Sequence, residues 1–321
     1  MDPLDYEPVR QTLLSLPQIA SWPEIATLFA PGTELPSKDY RIPLYVAKAV
    51  SGDAALALPG AAAIACLQMT IVLVDDLLDD DPRGAQKRIG VGPAANIASA
   101  LQAAAFAHID RSQVPPYARA LAAAALAQML LDTALGQRMD VLNEGGEDEY
   151  WQVAFAKSSP FCRSAFTVGA VLAGGDERTV AALTRVGALV GETQQLHDDL
   201  DDALAIPAQP DWRRPRNNLL TLYAMTIDHP DRERFVELLK DPEEPDSLHE
   251  AQSILSRCGA VSYCAYHLVK RHREAFELVT GLELVDASAL NEFMDNHFLP
   301  AMMLLERAGM KDPTRLLRGE A

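Results

Sequence analysis

Residues 59–80 have the sequence PGAAAIACLQMTIVLVDDLLDD, an apolar run that ends in aspartates. The next residue continues this charge, so that residues 75–81 hold five aspartates in seven positions. A helix that is apolar on every side until its last turns lies inside a bundle rather than on its surface. Because carboxylates repel one another and are costly to bury unpaired, this helix end requires a compensating positive charge.

The remaining sequence also favours helices. Alanine and leucine dominate, β-branched alternation is scarce, and proline and glycine separate long segments, as they do between helices. The predicted long helices cover residues 59–80, 117–142 and 180–204. No linker or change of composition divides the chain. We therefore predict an all-α protein with one helical domain over residues 1–321.

Charge and targeting signals limit the functional classes. The 321 residues include 28 lysines and arginines against 45 acidic residues, a net charge of −17, which argues against nucleic-acid binding. The four cysteines show no metal-ligand spacing and are expected to be buried thiols in a reducing compartment. The N-terminus lacks a hydrophobic signal region, and no segment has about 18 uninterrupted apolar residues. We expect a cytoplasmic protein without a transmembrane segment.

The predicted helix over residues 180–204 ends in a second aspartate cluster with the same DDxxD spacing. Side chains at i and i+4 share a helix face, so three carboxylates converge at each helix end: Asp75, Asp76 and Asp79 in the first cluster, Asp198, Asp199 and Asp202 in the second. Either cluster alone is compatible with a solvated helix terminus. Two clusters at ends where the helix dipole disfavours negative charge indicate metal binding. Oxygen ligands suit Mg²⁺, which takes its remaining ligands from water and substrate phosphates.

Basic residues lie close to the acidic ones in the sequence, as a phosphate site requires. Lys157 stands in the largely apolar stretch VAFAKSSPF, and Arg83 closely follows the first cluster. Further basic residues are Lys38 and Arg41 before the first buried helix and Arg213, Arg214 and Arg216 after the second cluster. Each is also compatible with ordinary surface charge.

Together these residues resemble the trans-isoprenyl diphosphate synthases, the polyprenyl synthetase family, over roughly residues 35–310. DDLLD (75–79) is similar to the first aspartate-rich motif of that family, and GETQQLHDDLDD (191–202) is similar to the second. GQRMDV (136–141) resembles its GQxxD segment, and KSS (157–159) stands where the family has Lys-Thr. Gln68 falls where the family has a His or Gln that contacts isopentenyl diphosphate.

The resemblance implies a helical bundle of the isoprenoid synthase type with a central apolar cavity, and a homodimer. Two or three Mg²⁺ ions would bind an allylic prenyl diphosphate through both clusters. Its C–O bond would ionise, the double bond of isopentenyl diphosphate would attack the allylic cation, and a proton would be lost to the departing diphosphate. The metals would stabilise charge on the leaving group, and the apolar interior would exclude water.

The resemblance also implies roles for individual residues. The catalytic set is Lys157, Gln195, Asp75 and Asp198, and the metal ligands are the six aspartates of the two clusters. The expected diphosphate contacts are Lys38, Arg41, Gln68, Arg83, Lys157 and Arg216. Product length is expected to depend on Thr70, Ile71, Leu67 and Phe106. Because Thr70 and Ile71, about one turn below the first cluster, are not aromatic, we expect products of at least twenty carbons.

The sequence departs from the family pattern in its basic segments. The GGKxxRP loop is reduced to SKDYRIP, and the Arg-Arg-Gly after the first motif is reduced to PRG. This loss leaves two alternatives to a chain-elongating prenyltransferase. A class I terpene cyclase would keep the metal sites without a second substrate site, and a non-catalytic synthase subunit would act only as a partner.

Overall fold

A computed structural model describes residues 4–31, 39–141 and 145–307 of the chain. Over these residues the protein consists of helices, turns and loops, with no strand, so the all-α prediction is confirmed. The α-helices are α1 (Tyr6–Leu13), α2 (Pro17–Ala20), α3 (Pro23–Leu28), α4 (Ile42–Ser51), α5 (Leu58–Leu78), α6 (Gln86–Ile89), α7 (Val91–Asp110), α8 (Pro116–Val141), α9 (Glu147–Lys157), α10 (Ser159–Leu172), α11 (Glu177–Leu204), α12 (Leu219–Thr226), α13 (Arg232–Leu238), α14 (Pro245–Arg257), α15 (Ala260–Thr280) and α16 (Ser288–Arg307).

The three long helices that the sequence predicts are α5, α8 and α11. Proline lies in the first turn of α5 and opens α8, where its missing N–H costs no helical hydrogen bond. Helix α11 begins three residues before the predicted start. The Asp176 carboxylate accepts the Thr179 N–H at 2.7 Å, which satisfies a free amide of the first turn and extends the helix.

The chain divides into two compact units, each made of several segments. Unit 1 contains residues 1–130, 161–187 and 282–294, and unit 2 contains residues 131–160, 188–281 and 295–321. The first aspartate cluster belongs to unit 1, and the second belongs to unit 2. That the chain forms one domain remains a prediction.

Unit 1 is built around α5, which packs against α1, α4 and α7. Residues 60–70 of α5 are all buried, as its all-round apolar sequence predicts. The Thr70 hydroxyl donates to the Cys66 carbonyl at 3.0 Å and lies 3.2 Å from the Ala98 carbonyl of α7. This polar side chain is therefore satisfied inside the core, where it joins two helices.

Unit 2 has a separate core, formed by α9, the end of α11, and α12 to α15. Its largest fully buried side chains include Tyr150, Trp212 and Phe235. Trp212 lies in the short 3₁₀ helix Pro210–Arg213, and its indole N–H donates to the Asp202 carbonyl at 3.3 Å. The segment after α11 is thereby fixed next to the second aspartate cluster.

Within residues 4–31, 39–141 and 145–307, two helical stretches are long and apolar enough to cross a membrane by length and composition. Ala54–Leu78 has a mean hydropathy of 2.0 and is mostly buried in the protein, as core helices are, whereas Pro116–Asp140 has a value of 1.3 and is largely uncovered. The expectation of no transmembrane segment therefore remains a prediction.

Candidate active site

The first aspartate cluster lies at the C-terminal end of α5. Asp75 and Asp76 are half-buried, and Asp79 is exposed. The Asp76 carbonyl accepts the Gln86 side-chain amide at 2.8 Å, and burial raises the pKa of the Asp76 carboxyl. Gln86 also donates to the Asp81 carbonyl at 2.9 Å, so one buried amide closes the loop after α5.

The cations beside this cluster pair with the aspartates that follow it. The Arg83 side chain is 89% exposed and donates to Asp81 at 2.9 Å. Lys87 forms an ion pair with Asp80. Arg83 therefore lies next to the first cluster, as the sequence predicts, but in this structure it binds a carboxylate of its own loop.

The second cluster, at the end of α11, has a different environment. Asp198 keeps an exposed side chain, yet the surrounding protein displaces enough water to raise its pKa to about 6, and neighbouring carboxylates add to the rise. Its Oδ1 accepts the Gln194 amide at 2.9 Å. Burial and the nearby Asp201 also raise the pKa of the half-buried Asp202. Negative charge is thus concentrated here.

Asp199 is fully buried, and its protein partners argue against the predicted role as a direct metal ligand. Its Oδ2 accepts the Tyr150 hydroxyl at 2.7 Å and the Leu219 N–H at 2.6 Å, while its Oδ1 accepts the Gln195 amide at 2.8 Å. Burial raises the pKa of Asp199 to about 7, and these hydrogen bonds limit the rise. Both oxygens are occupied by protein donors, so Asp199 joins α9, α11 and α12.

Asp211 is a site residue that the sequence analysis missed. Burial and the charge of Asp202 raise the pKa of Asp211 to about 6, and the positive charge of Lys157 opposes this rise. Asp211 therefore lies within electrostatic range of the second cluster and of Lys157. The sequence contains one signal for this position, which is the adjacent Trp212, an aromatic side chain within a basic loop. The burial of Trp212 brings Asp211 to this position.

Lys157 and Ser158 occupy the break between α9 and α10. Lys157 is 35% exposed, and its ammonium lies 2.9 Å from Asp140 Oδ2. The Ser158 hydroxyl donates to Gln195 Oε1 at 2.7 Å. Together with the Gln195–Asp199 bond, this contact fixes which way the Gln195 amide points. The break is thus linked by hydrogen bonds to the second cluster.

Two glycines allow neighbouring helices to approach this break. A Cβ on Gly136 of α8 would lie 2.4 Å from the Ala156 carbonyl carbon. A Cβ on Gly191 of α11 would lie 2.6 Å from the Ser159 Cα. Only residues without a side chain fit these contacts. The GQRMDV and GETQQ segments therefore bring Asp140 to Lys157 and Gln195 to Ser158.

The other predicted diphosphate contacts have the following surroundings within their own units. The Arg41 guanidinium lies 5.7 Å from the centre of the Tyr45 ring, and Gln68 is buried in α5. Arg216 donates to the Gly145 carbonyl. Lys38 falls outside the described residues.

The predicted product-length residues lie on α5 and α7. Leu67 and Thr70 are fully buried, and Thr70 contacts α7. Ile71 and Phe106 are half-buried. Ile71 is therefore more accessible than Thr70 as a place where a larger side chain could shorten the product.

Among the residues that the structure describes, no three His, Cys, Asp or Glu side chains are grouped so that they could hold a metal ion by themselves. A bound metal would need further ligands, as Mg²⁺ does when it takes them from water and phosphate.

A family model described as polyprenyl synthetase matches residues 32–255. The chain belongs to the polyprenyl synthetase family. This match includes both aspartate clusters and Lys157.

Several relatives of this polyprenyl synthetase family member are similar along most of their length. A short chain isoprenyl diphosphate synthase of Methanothermobacter thermautotrophicus is 28% identical over 263 residues, covering 76% of this chain and 79% of that protein. A geranylgeranyl pyrophosphate synthase of Geoglobus acetivorans is 28% identical over 271 residues, covering 79% and 82%.

Solved structures share the helical fold of this family. The geranylgeranyl pyrophosphate synthetase of Pyrococcus horikoshii Ot3 matches with a TM-score of 0.75 at 22% identity, covering 94% of this chain and 95% of that one. A polyprenyl synthetase of Streptomyces coelicolor A3(2) matches with a TM-score of 0.76 at 21% identity, covering 91% and 96%. At this identity the likeness demonstrates the fold alone.

Proposed function

We propose that this chain condenses an allylic prenyl diphosphate with isopentenyl diphosphate, head to tail, to give products of at least twenty carbons. The observation that carries the proposal is the link within unit 2 between Lys157, Ser158, Gln195 and the second aspartate cluster. The names of the relatives, short chain isoprenyl and geranylgeranyl diphosphate synthases, support it. They give no support to a terpene cyclase or a non-catalytic subunit.

The acidic residues present fit Mg²⁺, and we propose that two or three ions bind. Burial and neighbouring carboxylates raise the pKa of Asp198 and of Asp211, and a divalent cation would relieve the repulsion between these carboxylates. We propose Asp75, Asp76 and Asp79 in unit 1 and Asp198 and Asp202 in unit 2 as ligands. When bound, Mg²⁺ supplies positive charge that stabilises the departing diphosphate.

The protein's own residues would bind the substrates and protect the reaction. Lys157 donates hydrogen bonds to the diphosphate of the allylic substrate, while Arg41, Gln68, Arg83 and Arg216 supply further donors to the two diphosphates. When the allylic C–O bond breaks, the electron pair leaves with the diphosphate. We propose that the Gln195 amide, held by Ser158 and Asp199, lies near the allylic cation, and that apolar side chains around the cation exclude water that would quench it.

Product analysis tests the function. The protein is incubated with Mg²⁺, radiolabelled isopentenyl diphosphate and primers of five, ten or fifteen carbons. Elongated prenyl diphosphates are expected, and chelation of Mg²⁺ should abolish them. Hydrocarbons formed from the primer alone would instead identify a cyclase, and an absence of product with every primer would favour a non-catalytic subunit.

We also propose that the chain forms a homodimer through α8. Tyr117, Leu121, Leu131 and Leu135 recur on one face of this helix and are each at least 50% exposed. Exposed apolar residues in such a row are typical of protein interfaces. Light scattering should give twice the chain mass, and Leu121→Asp with Leu131→Asp should give a folded monomer. A monomeric wild type contradicts the proposal, and detergent-dependent solubility would indicate a lipid contact instead.

A further inference from the structure

Asp140 occupies an unfavourable place for a carboxylate. It is the penultimate residue of α8, where the helix dipole is negative, and its side chain is only 17% exposed. Its charge there requires compensation. The compensation comes from Lys157, whose ammonium lies 2.9 Å from Asp140 Oδ2.

The close approach of the two helices explains why a short side chain makes this contact. Gly136 precedes Asp140 by four residues and therefore lies on the same face of α8. A Cβ on Gly136 would lie 2.6 Å from the backbone nitrogen of Lys157. At this separation the short Asp140 side chain reaches the Lys157 ammonium, whereas the longer side chain of a glutamate would need extra space.

The other carboxylate oxygen of Asp140 accepts a hydrogen bond from the segment that contains Arg216. Asn217 Nδ2 lies 3.0 Å from Asp140 Oδ1 and 3.1 Å from the Asp140 carbonyl oxygen. The preceding residue, Arg216, donates to the Gly145 carbonyl just beyond the end of α8. The 3₁₀ turn Pro215–Asn217 is therefore tied to α8 by Asn217 and to the residue before the N-cap of α9 by Arg216.

We propose that Asp140 is a positioning residue, which holds the Lys157 ammonium where it meets the substrate diphosphate and ties the turn that carries Arg216 to the same carboxylate. This inference rests on the proposed function. Asp140 does not itself contact the diphosphate, because the negative charges of the two phosphate groups would repel its carboxylate. Its contribution is that Lys157 is held in one orientation before the diphosphate binds.

A double-mutant cycle tests this role, with the affinity for pyrophosphate in the presence of Mg²⁺ measured by titration calorimetry. Lys157→Ala should weaken binding by about 10-fold in the wild type, the effect of one charge-assisted contact. In the Asp140→Asn protein the same lysine substitution should cost about 3-fold or less, because the ammonium is no longer held in place. The kcat of elongation should show the same coupling.

Two outcomes would overturn the proposal. An equal cost of Lys157→Ala in both proteins means that Asp140 is only structural. A larger cost in the Asp140→Asn protein means that Asp140 competes with the diphosphate for Lys157. If the wild type binds pyrophosphate but elongates nothing, the proposed function fails, and the calorimetric cycle still decides the role of Asp140.

Asp231→Asn is the matched control. Asp231 forms an exposed ion pair with Arg257 at 3.0 Å, also in unit 2. This substitution should leave the cost of Lys157→Ala unchanged at about 10-fold. Asp140→Asn conserves the shape of the side chain, and thermal unfolding of each variant verifies that the fold persists.

Discussion

The two aspartate clusters have the same DDxxD spacing but different surroundings. At the end of α5 the carboxylates are half-buried or exposed, and the neighbouring loop is closed by Gln86 and by ion pairs within itself. At the end of α11 the middle aspartate is fully buried, and the pKa of each aspartate of the DDxxD motif is raised. Spacing therefore determines which residues share a helix end, whereas the elements packed against that end determine what each carboxylate does.

The largest expected effect concerns the first aspartate of each cluster. Asp75→Ala and Asp198→Ala should each lower kcat by at least ~100-fold, the scale of losing a major electrostatic stabiliser of the transition state. Steady-state elongation assays at saturating Mg²⁺ measure this. If one of the two variants keeps near-normal turnover, the clusters differ in function as well as in surroundings, and that metal assignment is wrong.

The middle aspartates should differ in stability. Asp199→Ala leaves the Tyr150 hydroxyl, the Gln195 amide and the Leu219 N–H without their acceptor, and each buried donor left unpaired costs about 1–3 kcal/mol. We expect a fall in Tm of about 5–10 °C. Asp76→Ala should lower Tm by about 2 °C or less, because the one N–H that its carboxylate accepts lies at 3.4 Å. Equal losses would contradict the buried role of Asp199.

The pH dependence of stability should test the buried environment of Asp199. Burial raises the pKa of Asp199 in the folded protein to about 7, from about 3.8. The folded state then binds a proton that the unfolded state releases, so this contribution is full below pH 4 and is lost as the pH rises to 7. In metal-free protein, the Tm advantage of wild type over Asp199→Asn should shrink between pH 4.5 and 7.5. A constant difference would mean that the three hydrogen bonds keep Asp199 ionised.

The smallest effect is expected deeper in α5. Ile71 is half-buried four residues before Asp75, about 6 Å along the helix. Ile71→Phe should shorten the product by about one five-carbon unit with little change in kcat, as chromatography of the dephosphorylated products measures. Thr70→Val, beside it but buried against α7, is the control and should leave product length unchanged. If wild type stops at fifteen carbons, the assignment of product length to this helix fails.

The long helices could be predicted because their signals are local. The apolar runs and their proline starts predict both ends of α5 and α8 to within two residues. The start of α11 lies three residues before the predicted one because Asp176 caps the helix there. The two motifs were likewise sufficient to indicate the family, since aspartate spacing on a helix is a property of the chain alone.

The partners of the site residues could not be predicted in the same way. Asp211 reaches the second cluster because Trp212 is buried in the core of unit 2, and Asp199 is occupied by a tyrosine 49 residues away in the sequence. Asp140 lay within a recognised motif, but its contact with Lys157 depends on how closely α8 and α9 pack at Gly136. The sequence by itself determined the helices, the two acidic helix ends and the family, because periodicity and residue type act over a few turns. Only the tertiary structure decided which carboxylates stay available for a ligand, because that depends on long-range packing and on the donors that packing brings within hydrogen-bonding distance.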